Sequence, residues 1–191
     1  MYGPAGIGVL YAKTALLAHM EPFLLGGEMV DEVWDRASTY QSGPRRFEAG
    51  TPNVAGAFGL AVACAWLENV GFPTIEARER TLTERLLAGM GDISGLRVFG
   101  NPAPADDRAG VVAFTLEGVD PIDAAYAFDK QNVAVRAGSH CAQPLHRRLG
   151  VESTCRASVA LYTTEREIDR FLEAAEHVRE RTCCTVMAHL P

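Results

Sequence analysis

The second half of the chain constrains the fold most, because short strand-like and helix-like segments alternate from residue 95 to residue 182. In GVVAFTLEG, the residues Val112, Phe114 and Leu116 alternate with a second set of side chains, a pattern typical of a half-buried strand. The segments LRVFG, VAVRAG and TCRASVALY predict three further strands. We therefore expect a small α+β domain over residues 95–182.

Two helices of this domain are predicted from their capping residues. Asp120 followed by Pro121 and Asp123 is a typical helix start, and this helix should reach about Lys130. A second helix should begin after Thr164, because Thr164 and Glu167 have the spacing of a capping box. Its apolar face is Ile168, Phe171, Leu172, Ala175 and Val178.

The first half has a different pattern. Residues 6–13 predict a short buried strand, and the Gly- and Pro-rich residues 19–53 predict a long functional loop. Residues 54–71 are apolar nearly all round, as in a buried helix, and a second helix should follow from Pro73. Together these two helices predict a helical spine over residues 54–94.

Composition excludes several classes of protein. With 191 residues, 48% of them hydrophobic, the chain can bury a core, and its net charge of -6 with scattered arginines disfavours nucleic-acid partners. No apolar run approaches the roughly 20 residues that span a bilayer, and no signal-peptide pattern is seen, so we expect a cytoplasmic protein without membrane contact. Five irregularly spaced cysteines disfavour a disulfide framework.

One cysteine lies in a setting that favours chemistry. Cys141 belongs to the short polar loop GSHCAQP after a predicted strand, so its thiol should be at least partly exposed. Arg136, His140 and Arg147 carry positive charge nearby in sequence, which would favour the thiolate if they are also close in space. The alternative is that Cys141 is simply a small apolar residue.

Cysteine and histidine could also bind a metal. Cys141, His146 and Cys155 could in principle converge, but their spacing fits no common zinc pattern, and we expect no metal site. The tail, residues 183–191, has no clear pattern. Its neighbouring Cys183 and Cys184 are interpreted as part of a disordered end rather than a redox or metal site.

Two further segments could bind anions. The loop RRFEAGTPN, residues 45–53, can donate hydrogen bonds to a phosphate, although it could equally be a plain connector. Arg156 lies in an apolar strand, where an unpaired guanidinium is costly. It should pair either with a carboxylate of the protein or with a substrate carboxylate.

Four segments, YGPAGIGVLYAK, RRFEAGTPN, RAGSHCAQP and CRASVALYTT, occur here in this order. The chain thereby resembles the C-terminal half of the group II, SUF-type cysteine desulfurases of the class V aminotransferase superfamily. The resemblance implies an α/β fold-type-I enzyme dependent on pyridoxal 5'-phosphate, with residues 1–53 ending the large domain. It also implies a homodimer that converts L-cysteine to alanine and passes the sulfur to an acceptor protein of iron–sulfur cluster assembly.

The resemblance assigns roles to individual residues. It makes Cys141 the nucleophile that carries the persulfide, and Arg156 the arginine that binds the substrate carboxylate. Arg136 matches the active-site arginine at the start of the cysteine loop. For His140, which precedes the cysteine, a role in proton transfer or thiolate stabilisation is a hypothesis.

The cofactor contacts implied by the resemblance are incomplete. Gly50 and Thr51 match the segment that reaches the cofactor phosphate of the neighbouring subunit. The family's cofactor-binding lysine lies just before the segment matching MYGP, and neither Lys13 nor Lys130 matches it. The isolated chain is therefore expected to be inactive.

This gap leaves alternatives open. We expect the chain to be a fragment of a complete enzyme. Otherwise it is a genuine short protein that serves as a non-catalytic sulfur-acceptor or interaction module. A selenocysteine lyase, or another enzyme of the class V superfamily, is the other alternative.

Overall fold

The computed structural model describes residues 1–100 and 108–187, with side chains through residue 180. The chain forms two compact units, residues 1–71 and residues 72–191. Their boundary falls inside the segment 54–94, so the two helices predicted as one spine belong to different units.

The second unit is built on a four-stranded antiparallel sheet with strand order β3-β4-β6-β5. Its strands are β3 (Leu96–Phe99), β4 (Val111–Leu116), β5 (Arg136–Gly138) and β6 (Thr154–Ser158). Along β4, Val112, Phe114 and Leu116 are buried while their neighbours are less so, which confirms the predicted alternation. The segments predicted as the third and fourth strands contain β5 and β6, although both strands are shorter than predicted.

In the described part of this unit there are four helices: α3 (Phe72–Asp92), α4 (Pro121–Asp129), α5 (Gln143–Leu149) and α6 (Glu165–Met187). The predicted caps are confirmed. Asp120 accepts a hydrogen bond from the Ile122 N–H at 2.8 Å, and the Thr164 N–H donates to Glu167 Oε2 at 2.7 Å. Helix α6 continues past the predicted domain end at residue 182. The backbone of Cys183 and Cys184 is therefore helical, while their side chains lie outside the described part.

An aromatic cluster forms the centre of the core. The rings of Phe128 and Phe171 stack with centroids 5.4 Å apart, and Phe114 packs edge-on against both. Buried side chains of α3, α4 and α6 join this cluster on one face of the sheet. Burying an aliphatic or aromatic side chain contributes about 1.5–3 kcal/mol, so this face anchors the unit.

The first unit contains short elements: α1 (Thr14–Leu17), β1 (Val30–Val33), β2 (Ser38–Tyr40), a 3-10 helix (Gly43–Phe47) and α2 (Val54–Val70). The strand predicted over residues 6–13 is wrong, because these residues form none and Val9, Leu10 and Tyr11 are exposed. A strand needs a hydrogen-bonding partner, and β1 and β2 pair only with each other. The region predicted as a long loop contains these two strands and the 3-10 helix.

Helix α2 begins after Asn53, whose side chain accepts a hydrogen bond from the Gly56 N–H at 2.9 Å. The prediction that α2 is buried is wrong, because an apolar stripe along one side is exposed: Val54, Phe58, Val62 and Trp66. An apolar surface of this kind marks an interaction face. Among the described residues no single helix is long and apolar enough to cross a membrane, although α2 and α3 pass that test together as a bent pair.

Two glycines of α3 provide a matched test of the packing between α3 and α6. A Cβ at Gly89 would overlap the Leu172 side chain, whereas a Cβ at Gly91 would meet nothing within 4 Å. Alanine favours a helix by about 1 kcal/mol over glycine, and overpacking costs about 1–3 kcal/mol. We expect Gly91→Ala to raise the free energy of unfolding in urea. The free energy of unfolding of Gly89→Ala should be about 1–3 kcal/mol lower than that of Gly91→Ala. Equal stabilisation by both substitutions would contradict this packing.

Candidate active site

The pairing of β5 with β6 brings the predicted site residues of the second unit together. Arg136 lies opposite Arg156, and Gly138 lies opposite Thr154. Side chains alternate between the two faces of a sheet, so Thr154, Arg136 and Arg156 share one face. Cys155 points to the other face, into the core.

The two paired arginines form a potential anion site. Like charges directly opposite each other on paired strands are unfavourable unless something neutralises them. Nε of the half-buried Arg156 is buried and has no hydrogen-bond partner in the described part of the chain. Among the described residues no carboxylate forms an ion pair with Arg136 or Arg156. Of the two alternatives for Arg156, this arrangement favours a ligand carboxylate over one from the protein.

The loop that carries Cys141 leaves β5 through a strained backbone. Gly138 has φ of 122°, which favours glycine, and His140 and Cys141 follow with left-handed φ values of 51° and 60°. Each such non-glycine residue costs about 1–3 kcal/mol and persists only where its surroundings hold it. The Cys141 side chain is exposed, as predicted.

His140 faces the strand beside the loop. Its Nε2 lies 3.0 Å from the backbone oxygen of Thr154, and a carbonyl oxygen only accepts, so Nε2 carries the hydrogen. Burial and the positive charge of Arg156 lower the pKa of His140, while the hydrogen bond to Thr154 opposes this effect. Nδ1 is buried without a partner, so the neutral ring offers a free lone pair as a base.

Sequence reasoning missed α5, and it considered the histidine on this helix, His146, only as a possible metal ligand. Pro144 in the first turn and Gly150 after the last residue, with φ of 72°, are ordinary signals for a helix start and end. The helix buries His146. Its Nδ1 lies 3.0 Å from the Ala142 oxygen, and its Nε2 lies 3.1 Å from Thr154 Oγ1.

Two of the three residues considered as metal ligands, His146 and Cys155, form hydrogen bonds within the protein. The Cys155 thiol donates to the Pro121 oxygen at 3.1 Å, and burial raises its pKa to about 11. In the described part of the chain, no three His, Cys, Asp or Glu residues cluster in a way that could hold a metal ion.

The other two predicted site residues belong to the first unit. Gly50 has φ of 82°, and its N–H donates to the Gly27 oxygen at 2.9 Å. Gly50 and Thr51 line an open cavity of about 1210 Å³, together with Arg45 and Asn53. No lysine lines this cavity. Cys141 and the residues around it therefore lie in the second unit, whereas Gly50 and Thr51 lie in the first.

The sequence matches the model of a known protein family over most of its length. The model of the family described as Aminotransferase class-V matches residues 1–171. The chain belongs to this class-V aminotransferase family. The predicted membership of the superfamily and the α/β fold are thereby confirmed.

Several known proteins are similar to this chain in sequence or in fold. A probable cysteine desulfurase of Staphylococcus epidermidis is 48% identical over 94% of this chain and 43% of its own length. The cysteine desulfurase CsdA of Escherichia coli superposes with a TM-score of 0.86 at 40% identity, over 94% of this chain and 44% of that one. An apo cysteine desulfurase of Thermococcus onnurineus has a TM-score of 0.88 at 36% identity, over the same shares. The chain spans less than half the length of these relatives.

The lowered pKa of His140 makes stability depend on pH. Because the folded pKa lies below the ordinary 6.5, the unfolded chain binds the proton more readily, and stability is lost as the pH falls below 6.5 toward the folded pKa. We expect the free energy of unfolding in urea to decrease when the pH is lowered from above 6.5 to below 6.5. This decrease should be smaller in His140→Gln than in wild type. The amide of glutamine does not titrate, and the remaining histidines are common to both proteins. Equal losses would contradict this assignment.

Proposed function

We propose that this chain supplies the sulfur-accepting thiol and the carboxylate-binding arginines of a group II, SUF-type cysteine desulfurase. The observation that carries the proposal is the placement of Cys141. The exposed Cys141 lies shortly after the end of β5, the strand on which Arg136 lies opposite Arg156 of β6. The similarity to cysteine desulfurases over 94% of the chain supports the same assignment.

The proposed reaction gives each residue one task. Arg156, whose Nε has no hydrogen-bond partner among the described residues, binds the carboxylate of L-cysteine with the assistance of Arg136. His140 Nδ1 accepts the proton of the Cys141 thiol. The resulting thiolate forms a bond to the substrate sulfur as the carbon–sulfur bond breaks. The electron pair of that bond stays with carbon, which takes up a proton, so alanine leaves and a persulfide remains on Cys141.

The residues of this chain fit one part of pyridoxal phosphate. The hydroxyl and N–H of Thr51, beside the left-handed turn at Gly50, can donate to the phosphate. The exposed Lys13 and Lys130 do not line that cavity, so the covalent attachment is not provided here. When bound, the cofactor supplies an electron sink for the carbon–sulfur cleavage.

The partners that the resemblance implies are supported by exposed features of the chain. The apolar stripe on α2 supports a homodimer, in which Gly50 and Thr51 reach the cofactor phosphate of the neighbouring subunit. The exposed Cys141 can present its sulfur to an acceptor protein of iron–sulfur cluster assembly. The free thiols of Cys64, Cys141 and Cys155 support a reducing, cytoplasmic setting.

The chain alone should lack turnover, because it has no lysine for the cofactor. We expect no catalytic alanine formation when the purified chain is mixed with pyridoxal phosphate and L-cysteine. Alanine would be measured by chromatography against a blank without protein. Multiple turnovers that disappear in Cys141→Ser would overturn this expectation.

The whole reading frame that contains this chain should show the activity. There, Cys141→Ser should reduce alanine formation by up to about 10⁶-fold, the scale measured when the nucleophile of a protease is removed. Cys155→Ala is the matched control, because its side chain lies in the core. It should keep turnover while losing some stability. An undiminished rate in Cys141→Ser would refute the proposed role of the thiol.

A further inference from the structure

Thr154 contacts a histidine on each side of Cys141: His140, in the loop of residues 139–142 (the thiol loop), and His146, on α5. It is 1% exposed, and it lies on β6 opposite Gly138, the last residue before the loop. Its backbone oxygen accepts the hydrogen bond from His140 Nε2 at 3.0 Å. Its hydroxyl lies 3.1 Å from Nε2 of His146, which is 5% exposed. One buried residue of the strand therefore holds the loop at two points.

The partners of His146 determine its tautomer. Nδ1 lies 3.0 Å from the backbone oxygen of Ala142, which only accepts, so Nδ1 carries the hydrogen. Nε2 then accepts the hydrogen of the Thr154 hydroxyl. The ring thus connects Thr154 to Ala142 through two hydrogen bonds, of which the one to Thr154 is buried and the one to Ala142 is partly buried.

These bonds bracket the reactive residue. His140 precedes Cys141 and is bound to Thr154 directly, whereas Ala142 follows Cys141 and is bound to Thr154 through His146. Between them, the left-handed backbone at His140 and Cys141 costs free energy that the surroundings must offset. Hydrogen bonds on both sides of Cys141 can do so.

We propose that Thr154 and His146 are positioning residues that fix Cys141 relative to Arg156. Arg156 lies on β6, two residues after Thr154. The inference rests on the proposed function of Cys141 for its catalytic meaning. The loop geometry itself can be tested without turnover. A nucleophile held in a fixed position loses less entropy when it attacks, so a loosened loop lowers its reactivity toward a bound substrate.

Hydrogen exchange of the purified chain, followed by mass spectrometry of peptides, tests the proposal. Thr154→Val and His146→Leu should each raise the exchange rate in residues 139–146 at least tenfold. Thr154→Ser keeps the hydroxyl and should restore the wild-type rate. The double variant should match His146→Leu alone, because both substitutions break the same bond.

The matched control is Thr83→Val, since Thr83 is 1% exposed and its hydroxyl donates to the Glu79 oxygen within α3. It should leave exchange in residues 139–146 unchanged. Wild-type exchange in Thr154→Val and His146→Leu would overturn the proposal, as would an equal rise in β3 and β4. Failure of the proposed function would be seen separately, as turnover that persists in Cys141→Ser.

Discussion

The pairing of β5 with β6 is the interaction on which the candidate site depends. It sets Arg136 against Arg156 and ends at the pair of Gly138 and Thr154, where the thiol loop begins. If β6 shifted by one residue, Arg156 would turn into the core and Cys155 would turn toward the face that carries Arg136. The position of the anion site and the anchor of the loop therefore come from the same few backbone hydrogen bonds.

The core keeps that register in place. On the side of the sheet away from the arginines, the aromatic cluster and the buried residues of α3, α4 and α6 cover β4 and β6. Strand β6 is central, since it pairs with β4 on one side and β5 on the other. The strained loop leaves the edge strand β5, but it is hydrogen-bonded to Thr154 of β6, a strand that is paired along both edges.

The sequence predicts the second unit well because its signals are local. The alternation along β4 and the capping box at Thr164 each need only neighbouring residues, and both are confirmed. The first unit was harder, because the burial of residues 6–13 and of α2 depends on partners that no local pattern encodes. For the site, motifs located Cys141, whereas Thr154 was missed because its role arises only from pairing across the sheet.

The central claim is that Cys141 accepts the sulfur. The most direct measurement is to expose the whole protein that contains this chain to L-cysteine carrying radioactive sulfur for one turnover, and then to locate the label by peptide mapping without reductant. The account predicts label on the peptide that contains Cys141, removable by a thiol reductant. Label confined to the peptides of Cys64, Cys155 or the Cys183–Cys184 pair would contradict it.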